Sequence, residues 1–318
     1  MAGSTVVALA GGVGGAKLAE GLQAHLGSRL AVVVNTADDC DRHGLRVMPD
    51  HDTVLYTLAG IEQAALGWGI EGDTHAVMGQ LGVYGEPTWF SLGDRDIALH
   101  IARTAAVRDG ARPTEACLSA QRALGLAARI LPMTDDPVAT AVATDDGWLE
   151  FQEYFVHRRQ APEVRALRFD GIEAARPSPE VAAALDGSAA IVIGPSNPLV
   201  SIGPILAVPG MREGIAAARA RGVPALAVSP IIGGRALKGP ADRMLASLGH
   251  ESSALGVARL YADLIDVFVL DAADAALAPE IEALGVRALV TDTVMGDDAS
   301  RAQLAGEVLG ALNVVGAA

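Results

Sequence analysis

Four short apolar runs, at 190–193, 225–228, 267–270 and 288–291, recur through the second half of the chain with helix-period segments between and after them. Apolar runs that do not alternate with polar residues are buried on both faces, and strands separated by helices are joined by crossovers. The spacing therefore predicts a parallel sheet covered by helices on both sides. The start of the chain adds a βαβ unit: a strand over 5–10, a glycine loop over 11–15, a helix over 16–26 and a strand over 30–35. The predicted fold is α/β and Rossmann-like.

Between these two blocks the pattern changes. Residues 61–170 read as helical stretches followed by strands at 138–144 and 148–151 around Asp145-Asp146-Gly147, a hairpin turn. This stretch is expected to be an inserted, smaller α+β subdomain within a nucleotide-binding core made of 1–60 and 171–318. Alternation resumes at Ser178-Pro179-Glu180, an N-cap followed by proline at the first helical position, and that helix is expected to end at Gly187. A further helix is expected over 53–58, with Asp52 as a possible cap.

The chain is 51% hydrophobic, but its apolar residues are broken into runs of about five to eight, too short to span a bilayer. The first residues lack the basic stretch of a secretory signal, so a cytoplasmic address is expected. A net charge of −14 argues against a surface that neutralises nucleic-acid phosphates, so any phosphate must be met locally. The two cysteines, Cys40 and Cys117, have no zinc, redox or disulfide spacing.

Five segments carry candidate chemistry. Gly11-Gly12-Val13-Gly14-Gly15-Ala16-Lys17 lies between a strand and a helix, where free N–H groups and the helix dipole favour a phosphate. It matches neither the Walker pattern nor G-x-G-x-x-G, and a tight turn built for packing is the alternative. Asn35-Thr36-Ala37-Asp38-Asp39 and Met48-Pro49-Asp50-His51-Asp52-Thr53 put four carboxylates in two loops at the ligand edge of the sheet. Such a cluster suits a divalent cation, Mg²⁺ by preference, although an Asx turn and an N-cap would each explain single members. His43, near these aspartates, is a further possible ligand contact. In Leu92-Gly93-Asp94-Arg95-Asp96 the arginine could clamp a phosphate or carboxylate. Ser196 and Asn197 in Gly194-Pro195-Ser196-Asn197-Pro198 suit a base, ribose or phosphate, and equally a plain turn. Arg235, Lys238 and Arg243 place positive charge beside glycines in an otherwise acidic chain. No G-x-S-x-G or H-E-x-x-H is present, and no nucleophile–base pair stands out. Tyr154, Phe155 and His157 read as core and surface of the insertion.

These segments, together with Leu131-Pro132-Met133-Thr134-Asp135-Asp136-Pro137, closely resemble the 2-phospho-L-lactate transferase family, called CofD in archaea and FbiA in actinobacteria, over essentially the whole chain. The resemblance implies an enzyme of coenzyme F420 biosynthesis. Such an enzyme moves a phosphorylated three-carbon acid (phospholactyl, phosphoenolpyruvyl or phosphoglyceryl) from a guanosine diphosphate donor to the ribityl hydroxyl of 7,8-didemethyl-8-hydroxy-5-deazariboflavin, and GMP leaves. It further implies Mg²⁺ held by Asp38, Asp50 and Asp52, or these carboxylates orienting the deazaflavin hydroxyl, with Arg95 at the deazaflavin or the transferred phosphate. On this reading Asp38, Asp52 and Arg95 are catalytic. Gly12, Gly14, Lys17, Ser196 and Asn197 would hold the guanosine diphosphate, with Arg235 and Lys238 closing on it. Relatives of this kind are commonly dimers, and no nucleic acid or membrane partner is expected. The rivals are a non-catalytic nucleotide-sugar-binding regulator of the same superfamily and an NAD-dependent dehydrogenase. The latter predicts an acidic residue closing the second strand, where this chain has Asn35 and Thr36.

Overall fold

A computed structural model describes residues 5–314. Its centre is a seven-stranded sheet of β1 (Thr5–Ala10), β2 (Leu30–Val34), β3 (Arg129–Pro132), β4 (Ser188–Ile193), β5 (Ala225–Val228), β6 (Val267–Asp271) and β7 (Arg287–Thr291). The order across the sheet is β7-β6-β5-β4-β1-β2-β3, and every neighbouring pair is parallel. This is the doubly wound, Rossmann-like arrangement that the strand spacing predicted. Strand order reverses between β1 and β4, and at such a switch point the loops beyond the strand ends part to leave a crevice.

Burial follows the pleat. In β1, Val6, Ala8 and Ala10 face one hydrophobic cluster while Val7 and Leu9 face the other. Helix α1 (Gly12–Leu26) and the helix Asp298–Ala311 cover the first face with Leu22, Leu304 and Val308. Ile205, Ile215 and Val257, from three later helices, cover the second. No helix among the described residues is long and apolar enough to cross a membrane. Residues 1–4, whose composition bears on a leader sequence, lie outside the described residues.

Helix α1 starts at Gly12, where a loop over 11–15 was expected, and two larger expectations change. The stretch 61–170 is not separate from end to end, because β3 returns to the central sheet beside β2. What remains outside the sheet includes helices Ala76–Val83, α3 (Asp94–Arg108) and Pro113–Ala123, plus a three-stranded antiparallel sheet in which Ala139–Thr144 is flanked by Gly147–Glu150 and Ala166–Asp170. The predicted hairpin is present, with Thr144 paired to Gly147. Second, α2 spans Pro49–Leu58 and starts before Asp52, with Met48 at its cap. Proline supplies a φ suited to the first helical position, and Asp50 and Asp52 both fall in the first turn, where the dipole favours negative charge. The Ser178 cap is as predicted: its side chain accepts from the Val181 N–H, and the helix Pro179–Asp186 ends at Gly187.

Candidate functional site

A cavity of about 770 Å³ opens at the switch point, within the size range of small-molecule sites. The glycine turn, Asp38, the start of α2, the Pro195-Ser196-Asn197 loop and residues 293–296 line it.

The glycines of the first turn are required by close approach. A Cβ on Gly14 would lie 2.4 Å from the Pro195 carbonyl oxygen, and one on Gly15 would lie 2.5 Å from Ser196 Oγ. Gly12 has φ +61°, open to glycine at no steric cost. The Gly11 N–H donates to Ser196 Oγ at 3.0 Å, so the loops after β1 and β4 are stitched together. Packing thus requires Gly14 and Gly15, and Gly11, Gly12 and Gly14 also line the cavity. The turn also carries a carboxylate, because Asp50 accepts from the Gly12 N–H and, at 3.1 Å, from Asn35 Nδ2. Asn35 is fully buried, and its Oδ1 accepts from the Ala37 N–H.

Asp38 and Asp50 are close enough to repel. Burial first, then the neighbouring Asp50, pushes the Asp38 carboxyl well above its usual range. Burial likewise pushes Asp50 up to about 6, against its hydrogen bonds. Asp38 Oδ1 is buried and has no partner among the described residues. Both carboxylates belong to residues that line the cavity and neither has a cationic partner, so the pair is short of positive charge.

Asp52 is engaged differently. Arg103 of α3 grips it with two charge-assisted bonds, Nη1 to Oδ1 at 2.6 Å and Nη2 to Oδ2 at 2.8 Å. His51 Nδ1 lies 3.0 Å from the same Oδ1. Burial alone would raise the Asp52 carboxyl, but Arg103 more than offsets it and holds it well below the usual range. Of the three aspartates expected at a metal, the structure leaves Asp38 and Asp50 without a cationic partner and gives Asp52 an internal one. Among the described residues no group of three or more His, Cys, Asp or Glu is arranged for a metal.

The other predicted residues divide. Gly12, Gly14, Lys17, Ser196, Asn197 and Lys238 all line the cavity. Lys17 Nζ donates to the Met295 carbonyl at 2.8 Å, and burial, then Arg301 and Lys238, lower its pKa. Asn197 Oδ1 also closes a local turn by accepting from the Leu199 N–H at 2.9 Å. Arg95 and Arg235 are exposed and lie outside the lining. Arg95 Nη1 instead donates to the Glu71 carbonyl at 3.1 Å. His43 is exposed at the turn of a small hairpin, also away from the cavity.

Sequence reasoning missed the aromatic wall. Trp68, Trp89, Phe90, Phe151 and Phe155 face the cavity, so Phe155 is a wall residue rather than plain core of the insertion. Trp89 is fixed from outside: it stacks on His157 with ring centroids 4.7 Å apart, and the Arg42 guanidinium lies 4.9 Å from its ring. Arg103 was missed as well, although Asp96, His100 and Arg103 recur at helical spacing as a buried polar stripe on α3.

The family model described as 2-phospho-L-lactate transferase CofD matches residues 6–299. The chain is similar to a phosphoenolpyruvate transferase of Streptomyces griseus, 45% identical with 96% of this chain and 97% of that one covered. It is also similar to a 2-phospho-L-lactate transferase of Methanosarcina mazei, 40% identical with 94% and 98% covered. A solved Bacillus halodurans structure of the UPF0052 family shares the fold, with a TM-score of 0.66 at 15% identity over 96% of this chain and 99% of that one. The cavity described above therefore lies in a transferase scaffold, and the chain belongs to the 2-phospho-L-lactate transferase CofD family.

Proposed function

We propose that this chain transfers a phosphorylated three-carbon acid from a guanosine diphosphate donor to the primary ribityl hydroxyl of 7,8-didemethyl-8-hydroxy-5-deazariboflavin. The hydroxyl oxygen forms a bond to the acid-bearing phosphorus, the bond from that phosphorus to the oxygen of GMP breaks, the hydroxyl proton is lost, and GMP leaves with the bond's electron pair. The observation that carries the reading is a single cavity with two kinds of lining. The Asp38–Asp50 pair lies in it beside a glycine turn, and Trp68, Trp89, Phe90, Phe151 and Phe155 line the same cavity. A charged phosphate group and a flat tricyclic ring need those two surroundings within reach of one another.

The unmet Asp38 oxygen and the mutual repulsion of the pair fit Mg²⁺, which is commonly held by one or two carboxylates with phosphate oxygens completing its shell. Asp38 and Asp50 would hold it, and when bound it would neutralise charge on the transferred phosphate. Asn35 fixes Asp50 through its Nδ2, and Arg103 fixes the first turn of α2 through Asp52. Ser196 ties the nucleotide-side loop to the glycine turn, and Lys17 and Lys238 supply cationic groups along the same wall. The aromatic wall orients the deazaflavin and keeps water from the phosphorus.

The test is incubation with the deazaflavin alcohol, Mg²⁺ and each of the three guanosine diphosphate donors, with GMP and the phosphodiester followed by chromatography and mass spectrometry. Stoichiometric GMP and phosphodiester from one donor are expected. Nucleotide binding without product from any donor would overturn the proposal in favour of a binding protein.

A further inference from the structure

Arg159 and Gln160 carry φ values of 52° and 57°. Neither is glycine, and residues with a Cβ avoid this region, so two in succession persist only if their surroundings hold them there. The holder is Arg243, in the helix Ala241–Ser247. Its guanidinium donates to the Gln160 carbonyl at 3.1 Å and to Gln160 Oε1 at 3.3 Å, while the Gln160 N–H donates to the Tyr154 carbonyl at 3.0 Å. Gln160 is part of the cavity wall, beyond Phe155 and Val156 on the same segment. Arg243 follows the cavity-lining residues 236–241 and precedes Met244, whose sulfur meets Asn197 Nδ2 at 3.5 Å.

A guanidinium has donors only, so the Gln160 amide must turn its oxygen to Arg243. That leaves the Nε2 hydrogens, which have no partner among the described residues, on a residue of the cavity wall. We propose that Gln160, positioned by Arg243, recognises the carbonyl-bearing edge of a planar heterocycle bound in the cavity. A side-chain amide donor beside an aromatic wall selects for such an edge and against a purely hydrocarbon ring. The inference rests on the transferase reading, in which two such rings occur: the guanine of the donor and the deazaflavin of the acceptor.

Two variants and two titrations test it. Gln160→Glu keeps the size of the side chain and still offers Arg243 an oxygen, but replaces the N–H donors with acceptors. Arg243→Met leaves Gln160 intact and releases it. GDP binding is measured by calorimetry and deazaflavin-alcohol binding by its fluorescence, on the full chain. Gln160→Glu is expected to weaken one of the two ligands about tenfold, the size of one lost hydrogen bond. Arg243→Met should weaken that same ligand by a smaller factor, with the other ligand's Kd unchanged in both variants. The ligand that responds identifies the ring. Unchanged Kd values for both ligands, or equal weakening of both, would overturn the inference while wild-type binding kept the transferase reading standing. A wild-type chain that binds neither ring would sink the reading itself.

Discussion

Replacing Arg103 with methionine removes the partner of Asp52 while keeping much of the apolar length of the side chain. Arg103 is 3% exposed and Asp52 5%, so neither charge has water to fall back on. The substitution deletes both bonds to Asp52 and those to the Arg46 carbonyl and His100 Nδ1, leaving the His51 imidazole at 3.0 Å and the His100 imidazole at 3.6 Å beside the stranded carboxylate. Breaking a buried pair from one side costs about 3–5 kcal/mol, against about 5–15 kcal/mol for the stability of a whole domain. With an m-value of about 3 kcal/mol/M, the urea midpoint at pH 7 should fall by about 1–1.7 M. The pH dependence is a stricter check. In the wild type Asp52 is depressed, so its contribution is present above the unfolded value of 3.8 and is lost as pH falls below it. Without Arg103, burial raises the same carboxyl, and stability then falls as pH rises. The gap between wild type and variant should therefore widen from about pH 3 to pH 7. In Asp52→Asn/Arg103→Met neither charge of the pair is left without the other, and the double variant should lose clearly less than the sum of the single ones. A loss below about 1 kcal/mol for Arg103→Met at pH 7, or strict additivity, would refute the argument.

Asp50 should behave in the opposite sense: with its carboxyl pushed up to about 6, stability without a divalent cation should fall as pH rises from 3.8 towards 6. Mg²⁺ should raise the thermal midpoint at pH 7.5 in the wild type and not in Asp50→Asn, whose turnover should also drop by about a hundredfold or more; equal responses to Mg²⁺ would remove Asp50 from the metal site. Gly14→Ala drives a methyl into the Pro195 carbonyl, so a destabilisation above about 2 kcal/mol is expected in urea, with weaker nucleotide binding. Trp89→Leu should raise the Kd of the deazaflavin alcohol about tenfold, whereas Arg95→Ala, altered at an exposed residue outside the cavity, should change it less than twofold. The reverse ranking would restore the Arg95 assignment.

The elements read correctly from sequence are those whose cause is local. Apolar runs set β4 to β7, Asp145-Asp146-Gly147 set a hairpin turn, and Ser178-Pro179 set a helix start. β3 escaped because its four residues begin with Arg129 and follow helices, and nothing local says that Arg129–Pro132 pairs with β2 far upstream. At the site, the clustering of Asp38, Asp50, Lys17 and Ser196 was legible, since each sits at the end of a strand or the start of a helix at one edge of the sheet. The separate fates of Asp50 and Asp52 were not. They are two residues apart, and the difference is set by Arg103 on another helix, 51 positions from Asp52. Arg95 drew attention through its acidic neighbours, while the arginine that matters to the fold lay two turns further along the same helix, on its inner face. The aromatic wall is assembled from three separated segments, a coincidence of tertiary structure that no spacing announces.

The sheet order also bears on how the molecule is made. Val6 pairs with Leu30 on one side and with Ala190 on the other, so β1 has its first neighbour almost at once and its second only when more than half of the chain has been synthesised. On the ribosome, a β1–β2–β3 fragment would present the unpaired edge of β1, an apolar strand, until β4 emerges. The same wait holds for the crevice at the switch point, since the part of its lining around Pro195-Ser196-Asn197 arrives with β4 and the loop behind it. A nascent chain stalled before Ser188 would therefore be exposed to edge-to-edge aggregation and would lack a complete ligand site to stabilise it, which makes this interval of synthesis the one in which chaperone protection matters most.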